Sequence, residues 1–281
     1  MKDREGKPLL RDVTSLYVNA SPRRRFFAPP AAFASDGRTV VLSQDEAHHL
    51  RKVLRIKAGE TVFVFDGEGR EFACIVPEGR ESGRGHDVSV TLDVDMQVAP
   101  AAPESPLELS LAVALLKGEK FDLVVQKATE LGVSRIMPVM TKRADVRIVN
   151  PGEGTKRTLR FQRLALEAAK QSGRARVPLV DAPVDFETLI TAPASPGWEE
   201  RRLMFAEHSG RGLTETFSEW SAPPKRVTAL VGPEGGWEDD EIERAHMAGW
   251  DCITLGGRTL RAETAAFVVA ALLQHLCGDL V

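Results

Sequence analysis

Between residues 107 and 277 the sequence alternates compact apolar runs with amphipathic stretches of helical period. Strands separated by helices pair through crossovers, and crossovers build parallel sheets with helices packed on their faces. Leu107–Leu116, Val133–Val139, Leu203–Ala206, Val227–Val231 and Cys252–Leu255 read as strands. Glu119–Leu131 reads as a helix with Phe121, Val124, Val125, Ala128 and Leu131 on one face, stopped by Gly132. Residues 158–172, Glu238–Met247 and Ala262–Cys277 supply further helices, the first two followed by Gly173 and Gly249. The expected architecture over 107–281 is α/β with a mostly parallel sheet. A chain of 281 residues, 43% hydrophobic and 27% charged, is an ordinary globular one with room for a second, smaller domain.

Residues 22–96 follow a different rhythm. Thr61–Phe65 alternates as a strand, Asp66, Gly67 and Gly69 supply a hairpin turn, Glu71–Val76 returns, and Val88–Val94 alternates again. This pattern predicts a small β-barrel. Pro100, Pro103 and Pro106 mark 97–106 as a semi-rigid linker. Residues 1–21 lack periodicity and read as a flexible extension. The longest apolar run, Ala265–Leu273, falls well short of the about 20 residues that cross a membrane. Cys74, Cys252 and Cys277 form no CxxC pair, so neither a zinc ribbon nor any other metal site, nor a disulfide framework, is expected. With no secretory pattern near the start, the expected location is the cytoplasm.

The net charge of −3 conceals two basic blocks: residues 1–60 hold 12 basic and 7 acidic side chains, and residues 135–176 hold 11 and 3. Such blocks predict a localised surface for a polyanion. Gln44–Arg55 reads as a helix with Ala47, Leu50, Val53 and Leu54 on one side and His48, Arg51, Lys52 and Arg55 on the other, with His49 beside them. Arg23, Arg24 and Arg25 precede Phe26-Phe27, which places cations next to possible stacking groups. The helix at 158–172 sets Phe161, Leu164, Ala165 and Ala168 against Arg160, Arg163, Glu167 and Lys170, with Arg174 just beyond. The plain alternative is solvated charged faces and a buried phenylalanine pair.

Two glycine turns carry the strongest signal. Leu230-Val-Gly-Pro-Glu-Gly-Gly236 and Leu255-Gly-Gly-Arg-Thr-Leu-Arg-Ala-Glu-Thr264 each follow a strand and precede a helix. Glycines let backbone approach a ligand closely, and loops at the carboxyl ends of parallel strands are where α/β folds bind ligands. Together the two turns predict one pocket, with Arg261 and Glu263 beside it.

With these segments, the chain resembles the RsmE family of bacterial ribosomal RNA methyltransferases, of the SPOUT superfamily. The resemblance runs through Arg24-Arg-Phe-Phe27, His49-Leu-Arg-Lys-Val-Leu-Arg55, Ala114-Leu-Leu-Lys-Gly-Glu-Lys-Phe121, Gln126-Lys-Ala-Thr-Glu-Leu-Gly132, Glu167-Ala-Ala-Lys-Gln-Ser172, Gly232-Pro-Glu-Gly-Gly236 and Leu260-Arg-Ala-Glu-Thr-Ala265. It implies a PUA-like RNA-binding barrel followed by a trefoil-knotted SPOUT domain. It also implies a homodimer that uses S-adenosylmethionine to methylate N3 of a uridine in 16S ribosomal RNA on the assembled small subunit. The residues implied to hold the cofactor are Leu230, Gly232, Glu234, Gly235, Gly236, Leu255, Gly256, Leu260 and Thr264. The RNA contacts are then Arg23, Arg24, Arg25, His48, His49, Arg51, Lys52, Arg55, Lys170 and Arg174. Residues 191–202 look like an enlarged loop beside the family pattern.

Methylating a ring nitrogen requires the imide proton to leave, so Glu263 or Glu234 is the expected base and Arg261 the stabiliser of the uracil anion. Sequence leaves the choice between the carboxylates open. The rivals are a different SPOUT enzyme acting on another RNA or on a ribose hydroxyl, and a non-catalytic ribosome-bound RNA-binding protein.

Overall fold

The computed structural model describes residues 23–78, 81–82, 89–148, 150–193, 200–208 and 210–281. The extension expected over 1–21 and residues 194–199 of the enlarged loop lie outside the described residues. Two compact units emerge, Met1–Val64 with Phe72–Met96, and Phe65–Glu71 with Gln97–Val281. No described helix is long and apolar enough to cross a membrane.

The first unit is built on a six-stranded sheet. Its strands are β1 (Arg25–Phe27), β2 (Thr39–Leu42), β3 (Thr61–Phe65), β4 (Glu71–Ile75), β5 (Glu81–Ser82) and β6 (Ser89–Val98), in the order β1-β3-β4-β6-β2 with β5 also on β6. The alternation of β3 sends Val62 and Val64 inward, where they pack with Phe26, Leu42, Leu50, Cys74 and Leu92. Cys74 serves as a small apolar side chain here, its thiol pushed up to about 12 mainly by burial and further by Asp95.

Helix α1 (Gln44–His48) starts at Ser43, whose hydroxyl accepts the Glu46 N–H. It does not continue as a regular helix to Arg55. A π-helical turn, His49–Val53, follows it. The wider turn rotates the later residues out of phase with the earlier ones. Ala47 and Leu50 are buried as expected, whereas Val53 and Leu54, expected on the same face, are exposed. Arg55 ends the segment with φ +52°, a left-handed conformation that non-glycine residues seldom adopt.

The second unit carries a parallel sheet. Its strands are β7 (Glu108–Ala114), β8 (Arg135–Met140), β9 (Leu179–Val180), β10 (Val184–Asp185), β11 (Glu200–Phe205), β12 (Arg211–Gly212), β13 (Arg226–Val231) and β14 (Asp251–Thr254). Their order is β10-β8-β7-β13-β11-β14-β12, with β9 on β8. Helices α2 (Lys120–Glu130), α3 (Pro151–Ser172), α4 (Phe186–Thr191), α5 (Leu213–Ser218), α6 (Asp239–Met247) and α7 (Ala262–Cys277) complete it. The long amphipathic helices fall close to their expected spans. Helix α3 begins earlier than expected, at Pro151, because Asn150 caps it by accepting the Glu153 N–H at 2.9 Å. The two-residue strands and short α4 and α5 escape a periodicity analysis, because they are too short to show a period.

β14 enters the sheet between β11 and β12, two strands that precede it in the chain. The connection from β11 to β12 therefore crosses the end of β14 at very short range. A Cβ on Gly210 would lie 2.6 Å from the Ile253 carbonyl carbon, so only glycine fits the crossing.

Residues Gln97–Pro106 belong to the second unit. Ser105 donates to the Gln274 amide oxygen at 2.6 Å, and Glu104 is ion-paired to Arg174.

Candidate active site

The carboxyl ends of β11, β13 and β14 and the first turn of α7 enclose a cavity of about 190 Å³. It is lined by Phe205–His208, by Val231–Pro233 with Gly236 and Trp237, by Thr254–Leu260, and by Ala262 and Ala265. The two glycine turns thus meet in one pocket. Gly236, Gly256 and Gly257 have φ of +68°, +70° and +73°, and a Cβ at any of them would meet open space. Their requirement for glycine is one of backbone conformation. Gly232 is different: a Cβ there would lie 2.9 Å from the Trp237 indole.

Trp237 holds the pocket's geometry. Its indole N–H donates to the Phe205 carbonyl at 2.8 Å, which ties the loop after β13 to the end of β11. The Thr254 hydroxyl donates to Glu207 O at 3.3 Å and accepts the Gly256 N–H at 3.2 Å, tying the loop after β14 to the same place. Each such bond contributes about 1 kcal/mol net. Arg143, beyond β8, donates from Nη1 to Gly235 O and Trp237 O at 3.2 and 3.3 Å.

Of the expected cofactor contacts, Gly232, Gly236, Leu255, Gly256 and Leu260 line the cavity, whereas Leu230, Glu234, Gly235 and Thr264 do not. Leu230 is fully buried on β13, packed in the apolar cluster that contains Trp237. The missing Cβ of Gly235 faces Arg143, at 3.1 Å from its Cβ. Gly235 therefore serves the approach of the Arg143 loop.

Glu234 belongs to an ionic group beside the pocket. Lys120, the first residue of α2, donates to Glu234 Oε1 at 2.9 Å. Burial pushes the Glu234 carboxyl up, but the Lys120 hydrogen bond, its own backbone N–H and the Lys120 charge outweigh this and hold it below the ordinary carboxylate value. The Lys120 ammonium is raised, first by the Glu234 hydrogen bond, then against desolvation by the charges of Glu234 and Glu263, with Arg261 opposing. Lys120, Glu234, Arg261 and Glu263 therefore form one electrostatic group, neutral overall when all four are ionised. Glu263 is 9% exposed, and its Oε2 is buried with no hydrogen-bond partner among the described residues. Arg261 is exposed at the N-cap of α7 and makes no side-chain capping bond.

The expected RNA contacts divide. His48, Lys52 and Arg55 are exposed, and Arg23, Arg24, His49, Arg51 and Lys170 are half-buried. The Arg23 guanidinium lies over the Phe63 ring at 4.7 Å, and Arg24 pairs with Glu60 at 3.1 Å. Arg25 and Arg174 depart from the exposed position expected of an RNA contact: they are 8% and 4% exposed, and the Arg174 guanidinium is bonded to Glu104, Thr129 and Val133. Phe26 is wholly buried, in agreement with the plain alternative.

Lys120, Arg143 and Trp237 are site residues that no sequence pattern singles out. Lys120 was visible inside Ala114–Phe121 and Trp237 directly after Gly236, but neither spacing says what each touches.

The RNA methyltransferase domain family matches residues 103–274, and the RNA methyltransferase PUA domain family matches residues 42–81. The ribosomal RNA small subunit methyltransferase E of Synechocystis sp. is 32% identical over 85% of this chain and 73% of its own length. That of Bacillus subtilis is 28% identical over 84% and 90%. The crystal structure of the Neisseria gonorrhoeae ribosomal RNA small subunit methyltransferase E bound to S-adenosyl methionine superposes with a TM-score of 0.77 at 30% identity. It covers 92% of this chain and 100% of that one. A Legionella pneumophila methyltransferase structure in complex with the same cofactor gives 0.78 at 28% identity, with the same coverage.

Proposed function

Because this chain belongs to the ribosomal RNA small subunit methyltransferase E family, we propose that it methylates N3 of a uridine in 16S ribosomal RNA. The methyl donor is S-adenosylmethionine and the substrate is the assembled small subunit. One observation carries this function: a pocket made by two glycine loops at strand ends, with the group Lys120, Glu234, Arg261 and Glu263 directly beside it.

The pocket suits the donor. Val231, Leu255, Leu260, Ala262 and Ala265 offer apolar walls to a flat heterocycle, and the exposed glycine backbone offers groups for its polar edges. When bound, S-adenosylmethionine supplies an electrophilic methyl carbon on a sulfonium. The chain's own residues supply the rest. A carboxylate of the ionic group takes the N3 proton, since the protonated imide is a poor nucleophile. Arg261 faces solvent, where an incoming uracil can reach it, and its charge stabilises the oxygens of the uracil anion. The target base leaves its stack to reach the pocket.

The test is nucleoside mass spectrometry of small subunits from cells lacking the gene, incubated with the protein and S-adenosylmethionine. N3-methyluridine is the expected product. Ribose methylation would assign a different SPOUT activity, and no methylation despite calorimetric cofactor binding would leave a non-catalytic RNA-binding protein.

The exposed side chains of His48, Lys52 and Arg55 contact RNA phosphate in the proposed complex. A strained Arg55 and a π-turn are features that structures tend to keep at functional sites. Lys52→Glu with Arg55→Glu should weaken small-subunit binding and lower its log–log salt slope by about one for each phosphate no longer neutralised. Calorimetric cofactor binding should persist. An unchanged slope would remove this face from the RNA interface.

The protein acts in the cytoplasm as a homodimer in this proposal. Phe267, Val268, Ala271 and Leu272 leave a half-exposed apolar strip on α7, which a second copy would cover. Light scattering at micromolar concentration should give twice the 30.7 kDa chain mass, and a monomer would refute the proposal.

A further inference from the structure

Two carboxylates stand near the proposed methyl-transfer site, and their surroundings differ. Glu234 is engaged by the Lys120 ammonium at 2.9 Å. Glu263 keeps one carboxylate oxygen buried without a partner among the described residues. An acceptor already receiving a charge-assisted hydrogen bond is a weaker base than one that receives none. We infer that Lys120 divides the work between them, fixing Glu234 as a permanent anion and leaving Glu263 as the group that accepts the uracil N3 proton. Lys120 is thus a positioning residue, and Glu263 the catalytic base. This inference rests on the N3-uridine methyltransferase function proposed above.

The charge balance supports the assignment. Before proton transfer, two cations, Lys120 and Arg261, face two anions, Glu234 and Glu263. The N3–H bond then breaks, the proton passes to the Glu263 carboxylate and the electron pair stays on N3. The two cations now face Glu234 and the uracil anion, so the group remains neutral. N3 gives its pair to the methyl carbon, the carbon–sulfur pair stays with sulfur, and Glu263 later releases its proton to water. With Glu234 as the base, the ammonium of Lys120 would oppose the proton's arrival from 2.9 Å away.

Single-turnover methylation of small subunits, measured from about pH 4 to pH 9 so that the ordinary carboxylate range is included, tests this on the full-length protein. Removing a base of this kind lowers rate by about 10²–10⁴-fold. Glu263→Gln should show that loss, should lose the acidic limb of the profile, and should bind S-adenosylmethionine normally by calorimetry. Lys120→Met removes a cation near Glu263, so the acidic limb should move to higher pH. Glu234→Gln removes an anion and releases Lys120 toward Glu263, so the limb should move to lower pH while more activity survives than in Glu263→Gln. A merely structural Lys120 would change the amplitude and leave the limb in place.

The inference is overturned if Glu234→Gln abolishes the limb, or if Glu263→Gln keeps it. Should Glu263→Gln fail to fold, the opposite limb shifts in the other two variants decide, and shifts in one direction or none overturn it. Wild-type protein that makes no N3-methyluridine would refute the proposed function. Wild-type activity with an unaltered Glu263→Gln profile would refute only the present inference.

Discussion

Arg261→Ala should abolish most single-turnover methylation while leaving the melting temperature almost unchanged. Arg261 is exposed, and its side chain makes no bond to the start of α7, where it occupies the N-cap. Its side chain forms no capping bond, and an exposed charge in an ionic group contributes only about 0.5 kcal/mol to stability. For a domain of this size that is a shift of about 1–2 °C. The catalytic cost is of another order. Removing one donor aimed at a developing oxyanion costs about a hundredfold or more in rate, about 3 kcal/mol of transition-state stabilisation. Methylation of small subunits and differential scanning calorimetry on one preparation separate the two effects. A variant that melts much earlier yet methylates normally once folded would make Arg261 a structural residue.

Arg174→Met should do the reverse, and its stability cost should be among the largest of any single polar substitution. Arg174 is 4% exposed. Its Nη2 donates to Glu104 at 2.7 Å, and its Nη1 donates to the Thr129 and Val133 carbonyls at 2.8 and 2.9 Å. The guanidinium thus closes the end of α2 and anchors Glu104. Methionine keeps much of the length, but the Val133 carbonyl loses this donor, Glu104 is left with the Arg176 N–H, and the Thr129 carbonyl keeps the Gly132 N–H. Glu104 is part-exposed, so most of the cost comes from the buried guanidinium bonds to carbonyls and the lost ion pair, together about 2–4 kcal/mol. The melting temperature should fall by roughly 10 °C. At low temperature the folded variant should bind small subunits with an unaltered salt slope. A reduced slope without destabilisation would restore the phosphate contact expected from sequence.

Arg174 lies just beyond the helix that carries Lys170, and the two look alike along the chain. Nothing local distinguishes a half-buried cation from one that turns fully inward to a carboxylate 70 residues away. The same difficulty affects Gln44–Arg55. Helical spacing groups Val53 and Leu54 with Leu50, and one π-helical turn separates them. Gly235 sits among glycines of the pocket and yet answers to Arg143, a residue 92 positions earlier.

The features that sequence determined by itself are those with a local physical cause. The apolar stripes of α2 and α3 follow from the helical period, α7 from a long apolar run, and the buried strands β7 and β13 from uninterrupted β-compatible runs. Gly236 and Gly256 were legible because positive φ is a demand on one residue at a time. The insertion of β14 between β11 and β12, the crossing at Gly210, the indole bond from Trp237 to Phe205 and the company of Lys120 were decided by tertiary structure alone. Each joins groups far apart in the chain, and burial and electrostatics at such a meeting depend on distance in space, which the period of a sequence does not encode.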